Sequence, residues 1–120
     1  MGMSHRWPLP ADHTAGRHAR ILVGQLLTGL PMADDAVLIA SELAENAIRH
    51  GDPPTELHVD VTDGTVRICV VNTGQRGEPR VVDATHEDDR GRGLALVQAL
   101  ADDWGWHRDG DTTHVWAELR

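Results

Sequence analysis

The chain is 120 residues long, enough for one domain with a single core, and its formal net charge is −8, which disfavours binding along a phosphate backbone. All eleven basic residues are Arg, which excludes lysine-based phosphate contacts and Schiff-base chemistry, and a single cysteine, Cys69, excludes an internal disulfide. Four Trp with no Phe or Tyr offer little platform for single-stranded nucleic acid, and no apolar run approaches the roughly 20 residues of a membrane span. The start, Met1 to Trp7, lacks the apolar core of a signal peptide, so the expected location is cytoplasmic.

Along the chain, Trp7-Pro8-Leu9-Pro10 reads as an extended lead-in, because residues before Pro avoid the helix. Asp12 or Thr14 is placed to cap a first helix that runs to about Leu27, with Leu22, Val23, Leu26 and Leu27 apolar. Gly29 and Pro31 break it. A second helix starts at Asp34 or Asp35 and stops at Gly51, read as a terminating glycine ahead of Asp52-Pro53-Pro54. On this helix Glu42 and Asn46 are one turn apart and form a solvated stripe, while Val37, Leu38, Ser41, Ala44, Ala47 and Ile48 recur on a face that packs. A carboxylate above an amide suits proton abstraction and Mg²⁺ coordination, although a solvated helix face often carries the same residues.

Strands are expected at residues 56–61 and 65–71, joined by the hairpin turn Asp63-Gly64. Val66, Ile68, Val70 and Asn72 share one strand face, so Asn72 ends the face that a helix should cover and needs a partner or a pocket. Cys69, on the other face, reads as a small hydrophobe. Residues 75–90 are a polar loop, and its run His86-Glu87-Asp88-Asp89 reads as solvated. Gly91 and Gly93 precede a third helix near residues 93–101; glycines permit close backbone approach, and a helix start presents free N–H groups to phosphate. Closing strands are expected at residues 104–107 and 113–119, around Asp109-Gly110-Asp111. No second domain is evident, so residues 1–120 read as one. The eight His include no pair at the spacing of a helix-mounted zinc site, and no Gly-x-Ser-x-Gly elbow is present.

The order of three segments carries a resemblance. Glu42-Leu43-Ala44-Glu45-Asn46-Ala47-Ile48-Arg49-His50-Gly51 resembles the N-box of the GHKL (Bergerat-fold) ATPase and kinase superfamily. Val70-Val71-Asn72-Thr73-Gly74 and Gly91-Arg92-Gly93-Leu94-Ala95-Leu96-Val97 resemble its two glycine boxes, and from about residue 12 onward the chain looks like the small single-domain anti-sigma-factor serine/threonine kinases of bacteria. The resemblance implies an α+β two-layer sandwich, with a mixed, mostly antiparallel sheet covered on one face by three helices. It implies ATP and Mg²⁺ as cofactors, a sigma factor and an anti-sigma antagonist as partners, and a homodimer. Glu42 would be the general base and Asn46 would hold Mg²⁺. Asn72 would stand where the family has the Asp that accepts from the adenine amino group. Gly74 would keep the pocket floor open, and Gly91, Gly93 and Leu94 would close over the phosphates; the loop at residues 75–90 would be the nucleotide lid.

Two positions depart from the family pattern. Asn72 brings an amide in place of a carboxylate, and hydrogen bonds to charged groups contribute roughly 1.5–3 kcal/mol against roughly 1 kcal/mol for neutral ones. On that reading Asn72→Asp would gain affinity. His114 stands just before Val115, where the family usually places a Thr of the adenine water network. Three functions therefore stay open: an ATP-dependent kinase acting on Ser or Thr of an antagonist, a catalytically degenerate module that holds a sigma factor, and a nucleotide sensor with an altered adenine pocket.

Overall fold

The computed structural model describes residues 2–74 and 92–120. The elements run β1 (Gly2–Leu9), α1 (Ala15–Leu26), α2 (Ala33–His50), β2 (Asp52–Thr62), β3 (Thr65–Thr73), α3 (Arg92–Leu100), β4 (Asp103–Asp109) and β5 (Thr112–Leu119). The five strands form one sheet in the order β1-β2-β3-β5-β4, and every pairing among the described residues is antiparallel. With the three helices packed on one face, this is the expected α+β two-layer sandwich. The expected lid loop and its run His86–Asp89 lie outside the described residues.

Alternation sets the core. Leu57 and Val59 on β2, Val66, Ile68 and Val70 on β3, and Val115, Ala117 and Leu119 on β5 are buried beneath the helices. Asp63 and Gly64 have positive φ, at 46° and 82°, which fits the tight hairpin read from the Asp-Gly pair. The lead-in is a full edge strand: Trp7 pairs with Leu57 and Pro8 with Glu56. Pro is tolerated there because an edge strand can leave one N–H side unpaired. Strand β2 also begins earlier than expected, at Asp52, where the Thr73 hydroxyl donates to the carbonyls of Asp52 and Pro53, both at 3.0 Å.

Helix α2 lies between α1 and α3 and over the sheet, so its buried arc is broad. Its buried residues are Ala36, Ile39, Ala40, Ser41, Leu43, Ala44, Asn46 and Ala47. Of the face expected to pack, Ser41, Ala44 and Ala47 are buried and Val37 and Ile48 pack against the core, while Leu38 is 44% exposed. Asp34 and Asp35 in the first turn, with Arg49 and His50 in the last, oppose the helix dipole with the correct signs.

The sheet face away from the helices carries a second set of contacts. The Arg67 guanidinium lies 4.4 Å from the centre of the Trp116 ring. Trp116 in turn lies over Gly105, where a Cβ would stand 2.8 Å from the indole. Cys69 is buried on this face and its thiol is pushed up to about 11 by burial, so it stays a neutral, small apolar group. His107 and His114 face each other across β4 and β5, rings stacked 4.6 Å apart. Burial, then the charge of His107, holds His114 below the ordinary histidine pKa of 6.5. The neutral form is thus favoured in the folded state. The stability this contributes is present above the unfolded value and is lost as pH falls through the lower folded value. Melting temperature should drop on acidification from about pH 7 to about pH 5, and less steeply in His114→Thr. Equal drops in both proteins would remove His114 as the source.

Candidate functional site

Helix α2 brings its acid and amide against the start of α3. A Cβ built on Gly93 would stand 2.5 Å from Glu42 Oε2 and 3.3 Å from Glu42 Cβ. With no side chain at Gly93, the first turn of α3 sits directly against the carboxylate. The Glu42 carboxyl is half-buried, and its pKa is raised, first by that burial and then by Glu45; Arg49 and Arg20 pull it back. A carboxylate whose pKa is raised toward the working pH is a stronger base than a free surface glutamate.

One turn on, Asn46 is buried, so the stripe expected to be solvated is wet only in part. Its Nδ2 finds no partner among the described residues. Asn72 is more deeply buried, at 1% exposure, and its Nδ2 donates to the Ala47 carbonyl near the end of α2 at 3.3 Å. Its Oδ1 has no donor among the described residues. Native proteins rarely leave such atoms unpaired, so these two buried amide ends are the polar groups of this region that call for a partner.

Sheet register corrects one expectation. Asn72 pairs with Thr113, while His114 pairs with Val71. His114 therefore points to the opposite face, where it stacks on His107 and its Nε2 lies 3.0 Å from the Thr112 hydroxyl. It is no part of the pocket. The hydroxyl beside Asn72 belongs to Thr113, which is 1% exposed on the helix-covered face. Thr113 was missed, although alternation back from Val115 carries the signal. Thr113 also lines a cleft of about 480 Å³ with Gly74, Asp52 and Asp111. Gly74 has φ +60° and donates its N–H to the Asp111 carbonyl at 3.1 Å. A Cβ on Gly74 would stand 2.6 Å from Asp52 Oδ2.

A family profile for the histidine kinase-like ATPase domain matches residues 9–119. The chain belongs to the histidine kinase-like ATPase domain family. Among solved structures it is similar to the RsbU and RsbW domains of Rv1364c from Mycobacterium tuberculosis, with a TM-score of 0.74 and 23% identity. That match covers 98% of this chain and 32% of the other, so the chain spans about a third of that structure and the likeness is one of fold. No curated protein is significantly similar to it.

For a histidine kinase-like ATPase domain, the residues present fit a nucleotide. The buried Asn72 Oδ1 has no donor among the described residues and suits a donor such as an adenine amino group, while the space a Cβ on Gly93 would fill holds the Glu42 carboxylate. Leu94 is 1% exposed and packs in the core, so its side chain is not available to phosphates; only its backbone is. Gly91 lies outside the described residues. Among the described residues no cluster of three or more His, Cys, Asp or Glu could hold a metal on its own. No helix among the described residues is long and apolar enough to cross a membrane.

Proposed function

We propose that this chain is an ATP-dependent serine/threonine protein kinase of the anti-sigma type, phosphorylating an antagonist protein and holding a sigma factor. The observation that carries the reading is the meeting of Glu42 with Gly93, which sets a half-buried carboxylate of raised pKa against a helix start. Phosphoryl transfer needs mainly positioning and charge neutralisation, so few side chains are required. Glu42 takes the proton of the attacking hydroxyl. Asn46 offers an amide oxygen to Mg²⁺, which neutralises charge on the phosphates when bound. Asn72 and Thr113 hold the base, while the absent side chains of Gly74 and Gly93 let Asp52 and Glu42 approach the backbone. The degenerate-module and sensor readings rested on Asn72 and His114 together, and His114 lies on the wrong face to support them.

Calorimetric titration with ATP and ADP, with and without Mg²⁺, tests the binding half. Binding that tightens with Mg²⁺ is expected; no heat and no melting shift at about millimolar nucleotide, a concentration matched to weak binding of about 4 kcal/mol, would end the proposal. Radiolabelled ATP with the antagonist co-purified from the native host tests the kinase half.

For partners, the exposed side of α1 offers Arg17 and Arg20, with Ile21 at 51% exposure and Leu38 of α2 at 44%. Arg20 lies close enough to act on the Glu42 charge, so a partner docked here lies near the base. Arginine forks pair well with carboxylates at interfaces. Changing both Arg17 and Arg20 to Glu should abolish recovery of a sigma factor on co-purification while leaving ATP binding within about twofold, since rim charges act on the partner. Unchanged recovery would move the docking surface elsewhere. The homodimer is part of the same proposal, and light scattering of the purified chain checks it.

A further inference from the structure

On the α1 side of Glu42, a cleft of about 220 Å³ opens between the first turn of α1 and the last turns of α2. Its inner wall is apolar: Ala15 and Gly16 are buried, and Ile48 packs against the core. Its polar groups are the carboxylates of Asp12 and Glu45, with Arg49 and the His13 ring. The missing side chain of Gly16 brings Glu45 in, since a Cβ there would stand 2.8 Å from Glu45 Oε1 and 2.9 Å from its Cγ. The helix dipole also favours a carboxylate against the first turn of a helix. Asp12 is fixed differently: it accepts from the Thr14 N–H at 2.8 Å and from the Thr14 hydroxyl. With histidine counted as neutral, two carboxylates face one guanidinium, so an incoming cation is favoured and an incoming anion is not.

Glu45 lies three positions after Glu42, so the two carboxylates are neighbours on one helix face, with Cβ atoms about 5–6 Å apart. Glu45 and Arg49 both act on the Glu42 charge, which ties the cleft to the base. A chain laid along α2 with a hydroxyl at Glu42 advances about 3.3–3.6 Å per residue when extended, so it passes the mouth of the cleft within about two to four residues. We propose that this cleft is a specificity subsite for the protein substrate, taking an arginine side chain that lies about two to four residues from the Ser or Thr delivered to Glu42. This rests on the kinase reading above. The arginine stem lies along Ile48 and Ala15, and its planar fork meets Glu45 inside and Asp12 at the rim. The substrate class is then a hydroxyl within a basic segment.

Calorimetry on the full chain tests this, with Mg²⁺, a non-hydrolysable ATP analogue, and peptides that hold one Ser with Arg, Ala or Glu about three positions to either side. The Arg peptides should bind at least about tenfold tighter than the Glu peptides, the factor that goes with one charge-assisted pair. Glu45→Gln should cut that preference to within about threefold while leaving affinity for the nucleotide within about twofold of wild type. Asp12→Asn should weaken the preference too; it keeps an oxygen that accepts from Thr14, so the start of α1 stays in place. Equal binding of Arg and Glu peptides, or a preference that both variants leave intact, overturns the subsite. Tighter binding of the Glu peptides overturns it as well, because Arg49 and His13 would then set the sign of the cleft. If no peptide binds while radiolabelled ATP still marks the antagonist, the subsite falls and the kinase reading stands. Selective binding of the Arg peptides without phosphate transfer from ATP to any substrate leaves the subsite standing and ends the kinase reading.

Discussion

Glu42→Gln should bind ATP with an affinity within about threefold of wild type while phosphoryl transfer falls by about 10²–10⁴, the range for losing a positioned general base. The substitution keeps the shape that packs on Gly93 and removes only the proton-accepting charge. Stability should not suffer. The Glu42 pKa is raised in the folded state, chiefly by burial, so its ionised form is disfavoured there. For such an acid the contribution to stability is present below the unfolded value and lost as pH rises through the folded one. At neutral pH the ionised carboxylate is therefore a burden on the fold, and a neutral amide relieves it. The melting temperature of Glu42→Gln should equal or exceed that of wild type. Transfer by the wild type should also fall on acidification at a pH above that for an ordinary glutamate, because the base must be ionised. Equal transfer rates for wild type and Glu42→Gln would show that another group takes the proton.

Gly51→Ala should be among the most damaging single-methyl additions in the chain. Gly51 has φ −124° and ψ 178°, an extended backbone that alanine adopts freely, so the penalty is steric. The new Cβ would meet Asn72 Nδ2 at 1.1 Å, and Asn72 is buried, at 1% exposure. Overpacking of this kind costs about 1–3 kcal/mol, and the lost bond to Ala47 adds about 1 kcal/mol. For a chain of this size that corresponds to a melting temperature lower by about 5–15 °C. Adenine binding should weaken by at least about tenfold because the acceptor is displaced. The double change Gly51→Ala with Asn72→Ala should recover much of the stability and none of the ATP affinity. That pairing separates a clash with Asn72 from damage to the end of α2. A Gly51→Ala protein with wild-type melting and ATP affinity would mean that Asn72 is not held where this packing puts it.

The fold was legible from periodicity. Apolar spacing placed all three helices and four of the five strands within a few residues, and the Asp63-Gly64 pair gave its hairpin directly, because these are local preferences written in consecutive residues. The missed strand, β1, carries alternation at Met3, His5, Trp7 and Leu9 but was read only as an extended lead-in at residues 7–10; its place at the sheet edge makes Pro8 acceptable.

The site divides in the same way. Glu42, Asn46, Asn72, Gly74 and Gly93 were proposed from the sequence, their roles implied by the order of three segments that resemble a known family. Which of them touch was not there. Spacing along β3 and β5 does not fix their register, and register alone decides that Thr113, not His114, stands beside Asn72. Gly51 illustrates the point most sharply. As a residue after a helix it reads as a terminator with left-handed backbone, yet its backbone is extended. Its lack of a side chain serves an amide that lies 21 positions away in the chain. Sequence determined the elements and the chemical groups, which depend on neighbours along the chain. Tertiary structure decided the partners, because the contact of Gly93 with Glu42 and of Gly51 with Asn72 exists only once two helices and a strand are packed to van der Waals distance.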